Sequence, residues 1–237
     1  MTERPAGTPS LFEDLLDILY KPAEVFERRR ETIAFGGAVL LLSVLTGAVL
    51  LATRSAFEPA LEAMAKQQIA EVMRQNPSLT EAQIAPMRGL MRNGTLVSMI
   101  AYPAIAPFVI GLLLWVAGKF FESRAGIGAA IMVAAYGYVP RFLGFIVASV
   151  MAVLSPEDQV TSLFSISLSP AKFMDPGTSV GLLGAAARLD IFLLWQTVVC
   201  GIGMSVMGQV SRTRGLAIAF IVWALGFIML IPALVKG

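Results

Sequence analysis

The chain has 237 residues, of which 57% are hydrophobic and 14% charged, at a mean hydropathy of +0.75. A soluble domain carries about 45–50% apolar and about 25% charged residues, so this composition excludes an ordinary soluble domain and points to segments solvated by lipid. Eighteen Lys+Arg against 16 Asp+Glu leave a net charge of +2, too balanced for a nucleic-acid binder.

The absence of histidine removes the commonest general base, the Ser/His and Cys/His nucleophile pairs and His-based metal sites. Cys200 is the single cysteine and lies in an apolar run, so no intrachain disulfide can form. Phosphate loops, metal-ligand clusters, nucleophile elbows and paired intramembrane carboxylates are missing from the pattern. A non-enzymatic chain without cofactor or metal is therefore expected.

Residues 1–9 are polar and contain Pro and Gly, and they read as a disordered tail. Ser10 with Glu13 fits a capping box, and Leu11, Phe12, Leu15, Leu16, Ile18 and Leu19 recur opposite Glu13, Asp14 and Asp17. Pro22 restarts this amphipathic helix, which ends at Arg28-Arg29-Arg30. Residues 1–32 are thus expected to form a tail and an interfacial helix, with Arg28, Arg29 and Arg30 among lipid phosphates. Docking onto the cytoplasmic ends of the spans is the alternative. The first apolar run begins only near Ile33, behind acidic and polar residues, so no cleaved signal peptide is expected.

Five membrane spans are predicted within residues 33–237, at about 33–53, 95–118, 127–154, 189–210 and 216–235. The first is 21 residues, about 31 Å of helix against a hydrocarbon core of about 30 Å. Pro103 and Pro107 in the second predict a kink, read as packing irregularity or a hinge. Between the first two spans, residues 54–94 hold amphipathic patterns at 57–75 and 81–92, broken at Asn76-Pro77, with Thr80 and Gln83 as a second capping box. They predict a helical hairpin outside the bilayer, whose Met64, Met73, Met87 and Met91 read as adaptable packing surface. Pro156, Pro170 and Pro176 mark residues 155–188 as an irregular connection, in which 178–188 forms a short interfacial helix or extends the fourth span.

Basic residues are dense in Arg28-Arg29-Arg30 and in the short loops 119–126 and 211–215, and diluted by glutamates over 54–94. The short basic loops place the N-terminus in the cytoplasm and the C-terminus outside.

The order of short motifs carries a family resemblance. Tyr20-Lys21-Pro22-Ala23-Glu24-Val25-Phe26-Glu27 precedes the spans, Ala135-Tyr136-Gly137-Tyr138-Val139-Pro140-Arg141 lies in the third, and Leu189-Asp190-Ile191-Phe192-Leu193-Leu194-Trp195 opens the fourth, which continues to Gly201-Ile202-Gly203-Met204-Ser205. The chain resembles the Yip-domain (Ypt/Rab-interacting protein) family, especially its bacterial branch, over most of its length. The resemblance implies an all-α, five-span membrane domain, in the inner membrane if the chain is bacterial. Eukaryotic members act in membrane trafficking and contact prenylated Rab-type GTPases; nothing in this chain identifies a GTPase-binding surface.

Arg141 is the sharpest anomaly, 14 residues from Ile127 and 13 from Leu154, where an arginine costs about 2.5–3.5 kcal/mol to insert. Asp190, Gln196 or the carbonyl that Pro140 frees near Tyr136 are its candidate partners. Such a site would be a polar cavity for an ion, a lipid headgroup or a small solute, or else a helix-to-helix staple. Asp190 has a second use, as the cap of the fourth span. Gly201 and Ser205 form a small-xxx-small pair serving internal packing or a homo-oligomer. The expected role is membrane organisation or partner binding through the N-terminal helix and the hairpin, with membrane lipids and a protein as partners; the alternative is a small permease or lipid-handling protein built around Arg141.

Overall fold

The computed structural model describes residues 10–175, 178–228, 230 and 231. The expected disordered tail, Pro176 and the end of the fifth span lie outside them. The described residues form helices and no strand. They are α1 (Leu11–Asp17), α2 (Pro22–Arg28), α3 (Gly36–Gln75), α4 (Glu81–Lys119), α5 (Ile127–Gly137), α6 (Val139–Leu154), α7 (Val180–Ala187), α8 (Ile191–Gly208) and α9 (Arg212–Ile228).

Local chemistry sets these boundaries. Ser10 Oγ accepts the Glu13 N–H at 3.2 Å while the Ser10 N–H donates to the Glu13 carboxylate at 2.6 Å, closing the expected capping box on α1. Pro22 occupies the first turn of α2, where its missing N–H costs nothing. At the start of α4 only half of the second box forms, because Gln83 accepts from the Thr80 N–H and the Thr80 hydroxyl bonds the same Gln83 oxygen instead of a backbone N–H. Pro140 removes a donor in the middle of 127–154, and the helix breaks there into α5 and α6, with Tyr138 between them. α4, by contrast, runs unbroken through Pro103 and Pro107.

α3 and α4 are 40 and 39 residues long, about 60 Å each and twice a hydrocarbon core. The amphipathic stretches expected as separate hairpin helices are continuations of these two helices, joined by residues 76–80. Arg54 ends the apolar stretch of α3, but the following Ala-, Glu- and Gln-rich segment is itself a good helix former, so the helix continues. Hydroxyls inside the apolar stretch serve themselves: Thr46 and Thr53 each donate to the carbonyl four residues back at 2.8 Å.

Four described helical stretches are long and apolar enough to cross a membrane: α3, α4, Ile127–Leu154 and α8. The expected fifth, 216–235, begins within α9, of which 17 residues are described. The fourth span starts at Ile191, and α7 is a separate helix before it.

The chain forms two compact units. Unit 1 comprises Met1–Leu41, Pro107–Val139 and Gln196–Val222. Its buried residues include Ile18, Val25, Phe26, Ala129, Ala130, the run Met132–Tyr136, Met204 and Ile218. A Cβ on Gly201 would sit 2.8 Å from the Leu216 Cα, so this glycine brings α8 against α9. That contact assigns the small-residue pair to internal packing.

Unit 2 comprises Leu42–Ala106, Pro140–Trp195 and Trp223–Gly237. Leu50, Phe57, Ala60 and Leu61 of α3 pack with Ala152 of α6 and with Val160 and Ile166 of the irregular connection. Phe57 stacks on Phe145 at 6.1 Å between centroids, and Arg92 on α4 pairs with Glu58 on α3 at 2.6 Å.

Candidate functional site

Arg141 is the third residue of α6, directly after the helix break that Pro140 causes. Gly144, one turn on, leaves room for the Phe192 ring of α8, which a Cβ there would meet at 2.8 Å. This close approach of α6 and α8 brings Arg141 to Asp190, with Nη1 3.7 Å from Oδ1. The same carboxylate oxygen accepts the N–H groups of Phe192 at 2.9 Å and Leu193 at 3.2 Å, so Asp190 caps α8 and faces the arginine at once. Gln196 and Tyr136 are buried in unit 1. The Arg141 side chain is 40% exposed and that of Asp190 11%.

Arg188, two residues before Asp190, enters this region as well. Its guanidinium donates to the Trp223 carbonyl, and the Trp223 indole N–H donates back to the Arg188 carbonyl at 3.0 Å. The Phe227 ring lies 5.3 Å from the guanidinium carbon, within cation–π range. This reciprocal clasp ties the turn between α7 and α8 to α9. The signal in the sequence was a second arginine two residues before an acid at the edge of a span.

In unit 1, Asp14 is completely buried and takes Arg28 at 2.8 Å and Arg29 at 2.5 Å on its two oxygens. Arg28 also pairs with Asp17 at 2.7 Å. The hydrogen bond from Tyr20, with the Arg28 contact, holds the Asp17 carboxyl below its ordinary range, and the same bond pushes the Tyr20 phenol up. Hydrogen bonding to Asp17, followed by that to Asp14, raises Arg28 against the opposing effect of burial.

Arg28 and Arg29, expected among lipid phosphates, pair with Asp14, and Arg28 with Asp17 as well. Docking, the alternative placement, fits this unit: Phe26 and Val133 both reach the space beside Gly203, each 2.7 Å from a Cβ built there. Arg30 is looser, 4.0 Å from Glu27. Phe12, Leu16 and Tyr20 lie four residues apart and form an exposed apolar stripe along α1 and the turn after it.

An open cleft of about 650 Å³ in unit 2 is lined by Arg54, Ser55, Glu58, Pro59, Glu62, Arg92 and Glu157, at the end of the apolar stretch of α3.

A family model described as the Yip1 domain matches residues 16–233. Among curated proteins, the membrane protein YknW of Bacillus subtilis (strain 168) is 25% identical over 226 residues, which cover 94% of this chain and 90% of that protein. No solved structure matches significantly. Together with the four apolar helices, these likenesses describe an integral, multi-pass membrane protein.

Proposed function

The chain belongs to the Yip1 domain family, and on that footing we propose that it is a non-enzymatic protein that organises membrane or holds a partner protein, in the inner membrane of a bacterium. The observation that carries this reading is the pair α1–α2. Its inner face is locked by the ion pairs of Asp14, while the stripe of Phe12, Leu16 and Tyr20 is left outward. A helix held in place with an apolar face uncovered is a preorganised contact surface. The extensions of α3 and α4 beyond Arg54 and before Asn93 offer the second surface, on the opposite side of the membrane.

In this reading the N-terminus is cytoplasmic and the C-terminus external, as the short basic loops imply. Cysteine labelling on a Cys200-free background tests it: probes at Ser78 and Lys236 react from outside and a probe at Ser10 does not. Labelling of Ser10 alone from outside reverses the topology. For the partner, mild solubilisation is expected to retain a stoichiometric protein or bound lipid that Leu16→Glu releases. Unchanged retention in that variant removes α1 as the contact.

A second reading, a small permease or lipid-handling protein, is favoured by one observation: Arg141 is part-exposed and meets its carboxylate only at 3.7 Å.

A further inference from the structure

Asp190 answers the charge of Arg141 and Arg188 only in part. Arg188 lies two residues before Asp190, and Arg141 stands 3.7 Å from the Asp190 carboxylate. The carboxylate that faces Arg141 already accepts two backbone N–H groups. Donor accounting leads the same way. A guanidinium carries five N–H donors. Arg188 gives one nitrogen to the Trp223 carbonyl, and its Nε is buried with no acceptor among the described residues. The distance from Arg141 to Asp190, 3.7 Å, is an ion pair but too long for a hydrogen bond. Among the described residues, Arg141, Arg188 and Asp190 leave this region with an excess positive charge and unspent donors, a costly state in apolar surroundings.

The surroundings say how an anion would arrive. Leu189 and Ile191, on either side of Asp190, are 46% and 59% exposed, as is usual for a surface that acyl chains cover. Asp190 directly precedes α8, so the pair lies at the end of a membrane-crossing helix, the depth of phospholipid phosphates, and arginine pairs with phosphate oxygens through two parallel N–H bonds.

We propose that Arg141, with Arg188 beside it, binds the phosphate of an anionic phospholipid. The proposal deepens the second reading above and rests on it. Asp190 is the internal competitor: it holds Arg141 loosely while the site is empty and opposes the incoming anion by its own charge. Asn caps a helix as well as Asp does, so Asp190→Asn removes the competitor and keeps α8 capped.

The test uses the full chain, delipidated in neutral detergent, with retention read by native mass spectrometry for phosphatidylglycerol, phosphatidylcholine and inorganic phosphate. Wild type is expected to retain phosphatidylglycerol over phosphatidylcholine by about tenfold, the factor of one charge-assisted hydrogen bond. Asp190→Asn is expected to raise that retention and Arg141→Gln to abolish the preference. Equal retention of the two lipids by wild type overturns the proposal, as does weaker phosphatidylglycerol retention in Asp190→Asn; neither result depends on Arg141→Gln folding. Inorganic phosphate bound at Arg141 without lipid preference overturns the lipid source but leaves a polar solute site standing. If both substitutions change thermal stability and neither shifts any retention, the second reading falls too and Arg141 is a staple.

Discussion

Among the described residues two buried carboxylates, Asp14 and Asp190, face arginines, and they are used in opposite ways. Asp14 in unit 1 is fully buried, and two arginines contact its two oxygens at 2.8 Å or less. Asp190 in unit 2 is nearly as buried, yet its arginine stands 3.7 Å away with a part-exposed side chain, and the carboxylate spends itself on capping α8. The first cluster is short and saturated, as a structural clamp must be, because a stranded charge in its position would be expensive. The second leaves donors open. Burial of an acid therefore does not distinguish structure from function here; the distance and exposure of its cationic partner do.

The strongest way to break this comparison is to remove Asp14. Asp14→Ala removes the buried carboxylate that Arg28 and Arg29 share and leaves Arg28 only Asp17, and unfolding in detergent is expected to show a loss of about 3–5 kcal/mol. A loss under about 1 kcal/mol would put the clamp on a par with a surface ion pair.

Glycine contacts sharpen the contrast at the next level. Gly201 faces the Leu216 backbone, which cannot move aside, whereas Gly144 faces side-chain atoms of Phe192 alone, its Cβ among them at 2.9 Å. Gly201→Ala is expected to cost about 1–3 kcal/mol by overpacking and Gly144→Ala clearly less. Thermal melts of the two variants check the order, and equal losses would show α6 and α8 to be as rigidly packed as α8 and α9.

Arg141→Leu comes third, with stability expected to change by no more than about 1 kcal/mol, since the pair it removes is long and part-exposed.

The smallest effect concerns acid. The folded pKa of Asp17 lies below its ordinary 3.8, through the Tyr20 hydrogen bond and Arg28. The sign follows from linkage: its contribution is fully present above that ordinary value and is lost as pH falls through the lowered one. Cross-linking between α1 and α2 is therefore expected to hold at pH 5 and to loosen only below about pH 4. Loosening between pH 5 and 7 would contradict the assignment.

What the sequence reveals follows from how local the cause is. The capping box at Ser10 and the apolar stretches of the first four spans are written within a few residues, and each appears where its residues predict it; Pro140, expected only to free a carbonyl, also divides the third span into α5 and α6. The length of α3 was not legible, because the end of an apolar stretch at Arg54 marks where lipid stops and not where helix propensity stops. The fate of Arg28 and Arg29 was hidden for a different reason. An amphipathic face looks the same whether it meets lipid or protein, and only the fold of α2 back onto α1 brings Asp14 within reach. Asp190 could be named as a partner for Arg141 because intramembrane acids are few. The clasp of Arg188 with Trp223 joins residues 35 apart through backbone carbonyls, which no side-chain pattern announces.

The contrast between the two carboxylates is measured most directly by a pair of double-mutant cycles, Asp14→Asn with Arg28→Gln and Asp190→Asn with Arg141→Gln, followed by unfolding in the same detergent. The account predicts a coupling of about 2–3 kcal/mol in the first cycle and under about 1 kcal/mol in the second. Equal couplings, or a stronger one between Arg141 and Asp190, would contradict it.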